Sequence, residues 1–244
     1  MPEIKTEYVG LNVADGTRMR AYVARPKEAA PRAGLLIFQE AFGVNAHIRD
    51  VTERLAREGY VSIAPELYHR TAADGFEGDY ANFESIMPHR RALTDQRVEA
   101  DVRSAFDWLV ADAELKGRLV VAVGFCMGGR VSFLANTVLP LQAAVSFYGG
   151  GIGPNPMIPH LLDRVSQLHG SMLFFWGGLD KHIGAEQTRA VADALREAGK
   201  RFVNVEVSDA EHGFFCDARP SYNPAAAKQA WVLTLEFLKI HTTR

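Results

Sequence analysis

The chain is predicted to adopt an α/β fold, with a mostly parallel central sheet that carries helices on both faces. Short, continuous apolar runs, typical of strands buried on both sides, alternate with amphipathic helical segments along most of the 244 residues. This alternation favours right-handed strand–helix–strand units. Because ligands of such sheets bind at the carboxyl ends of the strands, residues directly after strands are the candidates for chemistry.

Composition limits the possible partners. With 48% hydrophobic residues the chain can bury a large core, and we expect one domain over residues 1–244. A formal net charge of −2 gives no attraction for nucleic acid or an anionic membrane, so a small molecule is the expected partner.

The start MPEIKTEYVG lacks signal-peptide features and no apolar run has spanning length, which predicts a cytoplasmic protein. We expect a monomer.

The cysteine content is low. Cys126 and Cys216 are too few for a disulfide framework, and they lack the His/Cys spacing of a structural zinc site. Two reduced thiols are therefore expected, and the cysteines give no sign of a structural zinc site.

The elements follow in order along the chain. Ile4 to Arg25 alternates polar and apolar residues around Asp15-Gly16, which predicts an antiparallel hairpin at a sheet edge. Apolar runs predict six further strands: Ala33 to Glu40, Tyr60 to Ala64, Leu119 to Gly124, Ala143 to Phe147, Met172 to Trp176 and Phe202 to Val207. Helical periodicity and end signals predict helices over Ile48 to Glu58, Glu99 to Ala111, Val131 to Val138, Glu186 to Ala198 and Pro224 to Ile240.

One connection is unusually long. The polar segment over residues 68–95 carries Gly75 and Gly78 and exceeds a plain loop, so we expect it to cross the site as a lid.

The turn after the Leu119 strand has the pattern of a nucleophile elbow. Gly124-Phe125-Cys126-Met127-Gly128 fits GxSxG with cysteine in place of serine, between a strand and a helix, as in the α/β-hydrolase fold. The helix that follows directs its dipole at the sulfur and favours the thiolate. Cys126 is thus the candidate nucleophile and the Met127 amide a candidate oxyanion donor. The alternative is a buried structural thiol.

Two later loops carry candidate partners for this cysteine. Asp180 follows the strand LFFWGG and His212 follows the last strand, in the chain order nucleophile, acid, histidine that this fold uses. His212 would exchange the proton with sulfur and Asp180 would orient it. Taken singly, Asp180 also fits a helix N-cap and His212 a loop histidine.

Other titratable residues compete for these roles. Asp209 and Glu211 are alternative acids, but they lie too close to His212 in sequence to reach its Nδ1. His182 is an alternative base that no strand end presents.

A carboxylate at the end of the Ala33 strand is also unusual. Glu40 in QEAFGVN pays a desolvation penalty there unless it is paired or protonated, so we interpret it as a group that controls the proton of the thiol. Capping the next helix or pairing with Arg49 is the structural alternative. The next residue, Ala41, is the second candidate oxyanion amide.

Together GFCMGG, QEAFGVN, GGLDKHI and EHGF resemble the dienelactone hydrolase (carboxymethylenebutenolidase) family, over nearly the whole chain. The resemblance implies Cys126 as nucleophile, Asp180 and His212 as its triad partners, and Glu40 as the group that exchanges a proton with the cysteine. It also implies hydrolysis of a dienelactone to maleylacetate without cofactor or metal.

The chain departs from this family at two substrate-binding arginines. Cys216 stands four residues after the triad histidine, and Phe83 stands at the lid position. Substitutes are available in Arg90, Arg91, Arg97 and Arg219. The alternatives are therefore a broader esterase or thioesterase of the same fold and a non-catalytic ligand-binding member.

Overall fold

A computed structural model of the protein describes residues 2–28, 30–156 and 158–243. Its eight strands form a mostly parallel sheet in the order β1-β2-β4-β3-β5-β6-β7-β8, which confirms the α/β class. The strands are β1 (Ile4–Asn12), β2 (Arg18–Pro26), β3 (Ala33–Phe38), β4 (Tyr60–Pro65), β5 (Val120–Phe125), β6 (Ala143–Phe147), β7 (Ser171–Gly177) and β8 (Phe202–Val207).

Helices connect most of these strands. They are α1 (Ala46–Arg57), α2 (Phe83–Ala92), α3 (Asp95–Ala111), α4 (Met127–Val138), α5 (Ala185–Glu197) and α6 (Pro224–Thr242). Short 3-10 helices cover Ala113–Leu115 and Leu162–Gln167. The chain divides into two compact units, Met1–Val121 and Ala122–Arg244.

The first unit is built on an antiparallel hairpin and two parallel strands. β1 pairs with β2 from Ile4 opposite Pro26 to Asn12 opposite Arg18, as the alternating sequence predicts. Its turn is closed where the Asp15 carboxylate accepts hydrogen bonds from Thr17, and Gly16 supplies the positive φ of 85°. β2 is antiparallel to β4, and β4 is parallel to β3.

Capping side chains set where the helices of this unit begin. The Asn45 side chain accepts a hydrogen bond from the Ile48 amide, so α1 starts at Ala46, two residues before its predicted start. Thr94 caps α3 in the same way, and α3 starts at Asp95 instead of Glu99. Periodicity misses these first turns because they bury few apolar side chains.

The segment over residues 68–95 contains α2, which the sequence did not predict. Ile86 is the one residue of α2 that is buried, and Pro88 lies inside the helix, so neither periodicity nor propensity indicates it. Hydrogen bonds tie this segment to the loop after β3: the Tyr68 hydroxyl donates to the Ala41 carbonyl, and the Gly78 amide donates to the Phe42 carbonyl.

The second unit contains the parallel strands β6, β7 and β8. Residues of β6 and β7 pair in register from Ala143 opposite Ser171 to Phe147 opposite Phe175. Buried aromatic rings fill this unit, and Phe147 stacks on both Phe125 and Phe175. These contacts fix the positions at which β5 and β6 end.

Several predicted boundaries shift by one to four residues. β3 ends at Phe38 instead of Glu40, because the Gln39 and Glu40 side chains already belong to the buried loop that follows. β5 runs to Phe125, and α4 begins at Met127 directly after Cys126, before the apolar run that predicted it at Val131. Gly128 and Gly129 are weak helix formers that hid the first turn of α4.

Across the described ranges we find no helix that combines the length and the apolarity needed to cross a membrane.

Candidate active site

A sharp turn between β5 and α4 presents Cys126. Its φ of 53° and ψ of −114° lie outside the usual regions for a residue with a side chain, as the strained nucleophile of an elbow requires. A Cβ on Gly124 would overlap the Gly128 carbonyl, and one on Gly129 would lie 2.7 Å from the Phe147 carbonyl oxygen. The turn therefore needs glycine on both sides of the cysteine.

The side chains of Cys126, His212 and Asp180 form one hydrogen-bonded chain. His212 Nε2 lies 3.1 Å from Cys126 Sγ, and His212 Nδ1 lies 2.7 Å from Asp180 Oδ2. His212 comes from the loop after β8, and Asp180 comes from the loop after β7. The ends of three strands thus deliver the three groups to one place.

Asp180 is fixed by its own loop. Its Oδ1 accepts hydrogen bonds from the His182 and Ile183 amides at 2.7 and 3.1 Å, which leaves Oδ2 for His212. The Asp180 side chain is 1% exposed. A carboxylate with both oxygens bonded cannot rotate away from the histidine.

The electrostatics of the site favour an ion pair between sulfur and imidazole. Burial lowers the pKa of His212, but the charge of the Cys126 thiolate and the hydrogen bond to Asp180 outweigh it and raise that pKa to about 10. Burial likewise raises the pKa of Asp180, but the hydrogen bonds from His212 and the two amides bring it below its usual value. Such an arrangement holds a thiolate beside an imidazolium, which suits nucleophilic attack on a carbonyl carbon.

Two further rings, those of Tyr148 and His182, flank the His212 imidazole. The sequence did not indicate that either would pack against this histidine. The Tyr148 ring centroid lies 5.1 Å from that of His212, and the exposed His182 ring lies 5.3 Å away. One signal in the sequence could have indicated Tyr148: like Cys126, it directly follows a strand, in this case β6.

The remaining candidates lie at the positions that their motifs predict. Met127 is the first residue of α4, where amides have no partner within the helix ladder. Glu40 and Ala41 lie directly after β3 and are 0% and 1% exposed. Asn45 caps α1, and Arg49 pairs with Glu77 at 2.6 Å.

The arginines considered as substitutes for the two missing substrate-binding arginines make different contacts from one another. Arg90 lies over the Phe83 ring at 5.5 Å, and Arg97 donates to the Ala92 carbonyl. The Arg219 guanidinium packs directly over Gly213, the residue after His212, where a Cβ would collide with it. Cys216 is fully buried.

Comparison with known proteins identifies relatives over nearly the whole chain. The model of the "Dienelactone hydrolase family" matches residues 19–242. A relative from Escherichia coli O157:H7 named "Putative carboxymethylenebutenolidase" is 37% identical over 233 residues, 93% of this chain and 84% of its own. A relative of the same name from Synechocystis sp. is 36% identical over 236 residues, 94% of each chain.

A solved structure extends the likeness to three dimensions. The "Putative Dienelactone Hydrolase from Klebsiella pneumoniae subsp. pneumoniae MGH 78578" is 33% identical and superposes with a TM-score of 0.86, covering 96% of this chain and 98% of its own. This likeness confirms the α/β-hydrolase fold. Since the family model spans most of the chain and the relatives match nearly all of it, this protein is a hydrolase that belongs to the dienelactone hydrolase family.

Proposed function

We propose that this protein hydrolyses the ring ester of a dienelactone (carboxymethylenebutenolide) to maleylacetate, with Cys126 as the nucleophile. The observation that carries the proposal is the continuous hydrogen-bonded chain from Cys126 Sγ through His212 to Asp180. Small-molecule lactones and esters are the substrates that the names of the family and its relatives indicate.

The proposed reaction has two steps. The Cys126 thiolate attacks the lactone carbonyl carbon, the ring C–O bond breaks, and the enolate takes the proton of the His212 imidazolium. Neutral His212 then removes a proton from water, which attacks the thioester, and the C–S bond breaks to release the carboxylic acid and restore the thiolate. Asp180 stabilises each imidazolium and fixes the tautomer.

Other groups are proposed to support these steps. The Met127 and Ala41 amides stabilise the tetrahedral oxyanion. Glu40 controls the protonation of Cys126 in this proposal, a role taken from the family resemblance and consistent with a carboxyl group that is 0% exposed. The protein acts without metal or cofactor in this proposal.

A broader carboxylesterase or thioesterase activity is the second candidate. Cys216 and Phe83 occupy the positions where the family carries substrate-binding arginines, and Cys216 is fully buried. Without cations at those positions, an uncharged acyl substrate would bind as well as a carboxylate.

A substrate panel on the purified protein tests the proposal. We expect saturable turnover of cis- or trans-dienelactone to exceed that of neutral lactones, simple esters and thioesters, and Cys126→Ala to abolish it. In the same panel Glu40→Gln should slow acylation without unfolding the protein. Turnover of neutral esters without preference for dienelactone would favour the second candidate, and no turnover of any member would contradict both.

A further inference from the structure

Tyr148 stands directly after β6, at the level of the candidate catalytic residues. Its amide donates to the Phe175 carbonyl of β7 at 2.8 Å, and the carbonyl of the preceding Phe147 accepts from the Cys126 amide at 3.0 Å. The backbone at this strand end is therefore bonded both to the elbow and to the strand that leads to Asp180.

The Tyr148 backbone adopts a conformation that side chains disfavour. Its φ is 38°, and among the residues that the structure describes, Cys126 is the other non-glycine residue with a positive φ. Such a conformation costs about 1–3 kcal/mol and persists where the surroundings enforce it. Strained residues concentrate at functional sites, so the conformation suggests a role for the side chain that it directs.

That side chain packs against His212. The two ring centroids are 5.1 Å apart with the planes tilted by 59°, and Tyr148 is 0% exposed. Phe214 holds the tyrosine from another side with an edge contact at 5.4 Å. Among the described residues, titratable groups that contact the His212 side chain include Cys126, Asp180, His182 and Tyr148.

The hydrogen bonds of His212 leave one motion weakly restrained. They act at Nδ1 and Nε2, on a line across the ring, so the ring can still tilt about that line. An aromatic neighbour limits this tilt, and where the face of its ring meets the imidazolium its π electrons attract the charge. Nε2 stays in place during such a tilt, but its N–H bond, which does not lie along that line, turns away from the sulfur.

We propose that Tyr148 is a positioning residue: its ring holds the His212 imidazolium in line with Asp180 and Cys126 and stabilises its charge, and so maintains the Cys126 thiolate. The expected effect of Tyr148 on hydrolysis rests on the proposed function. The effect on the thiolate is separately measurable, because alkylation of Cys126 requires no substrate.

The test compares variants that all keep a Cβ, so the backbone strain at position 148 stays the same. Tyr148→Leu removes the ring, Tyr148→Met is a second ringless variant if the first fails to fold, and Tyr148→Phe retains the ring. Phe174→Leu is the matched control, since Phe174 is a buried ring that packs on Phe133 and Trp176.

We expect iodoacetamide alkylation of Cys126 at pH 6 to fall about 2- to 30-fold in the ringless variants. Their alkylation midpoint should move to higher pH, and kcat should fall with KM little changed. Tyr148→Phe and Phe174→Leu should keep the wild-type pH profile. A wild-type profile in the ringless variants, the same shift in Phe174→Leu, or a loss in Tyr148→Phe equal to that in Tyr148→Leu would overturn the inference. Hydrolysis retained by Cys126→Ala would instead contradict the proposed function and leave the alkylation result standing.

Discussion

The candidate catalytic side chains of this protein lie at strand ends. The positions of Cys126, Asp180 and His212 could be predicted because each follows a recognisable apolar strand, and the fold brings such positions together. Tyr148 also follows a strand directly, but that place alone does not assign it a role. Its role depends on a ring contact with His212 and on a positive φ, and neither leaves a mark in the sequence.

At the residue scale, we predict that His212 controls the state of Cys126. The pKa of His212 lies at about 10, above its ordinary value, so the imidazolium is present at neutral pH and is lost as the pH rises through about 10. Wild-type Cys126 should therefore react with iodoacetamide at a nearly constant rate between pH 6.5 and 9. In His212→Asn the thiol should return to a pKa of about 8.5, and alkylation at pH 6.5 should fall about 100-fold.

The second cysteine provides the internal control for that measurement. Cys216 is fully buried, so it should label only when the protein unfolds. An unchanged alkylation rate of Cys126 at pH 6.5 in His212→Asn would refute the thiolate–imidazolium pair.

At the scale of elements, the long segment over residues 68–95 differs most from expectation. That it forms a lid over the site stays a prediction; the segment contains the unpredicted helix α2 and is bonded to the loop after β3 through Tyr68 and Gly78. These bonds are long-range contacts between loop residues, so local periodicity could not indicate them.

A buried ion pair anchors the start of this segment. Arg70 donates two hydrogen bonds of 2.8 Å to Asp101 of α3, which is 0% exposed, and a third of 2.7 Å to Asp15 of the hairpin turn. Removing one partner of such a pair leaves the other charge buried. We predict that Arg70→Met lowers the free energy of unfolding by about 3–5 kcal/mol, measured by urea denaturation.

The pH dependence of that loss follows from Asp101. Burial raises its pKa to about 6 although Arg70 opposes the shift, so Asp101 is mostly protonated at pH 5 and charged at pH 8. A raised carboxyl pKa means that the folded state binds this proton more tightly, so the contribution of Asp101 to stability declines as the pH rises from about 4 through 6. The loss in Arg70→Met should thus be smaller at pH 5 than at pH 8.

Arg196→Met is the matched control. Arg196 pairs with Asp193 on the surface, where both side chains are more than half exposed. Its removal should cost about 0–1 kcal/mol. A loss in Arg70→Met no larger than in this control would show that the buried pair does not anchor the segment.

At the scale of the whole molecule, alternation of strands and helices predicted the α/β class, and the family motifs predicted the α/β-hydrolase fold. Most predicted strands and helices needed boundary corrections of one to four residues at their caps and turns, and Asn45, Thr94 and the elbow glycines explain several of them. The single-domain organisation, the monomeric state and the cytoplasmic location stay predictions. The pattern of strands and helices does not indicate the substrate, because substrate binding depends as well on individual charged side chains near the site.

The most direct test of the central claim is to trap the acyl-enzyme. Rapid acid quench during turnover of a slow p-nitrophenyl ester, followed by peptide mass spectrometry, locates the acyl group on the chain. We predict that the acyl mass appears on the peptide that contains Cys126, builds up in a burst with p-nitrophenol release, and is absent from an inactive Cys126→Ala variant. Turnover with the acyl group on another residue, or full activity in Cys126→Ala, would contradict the account.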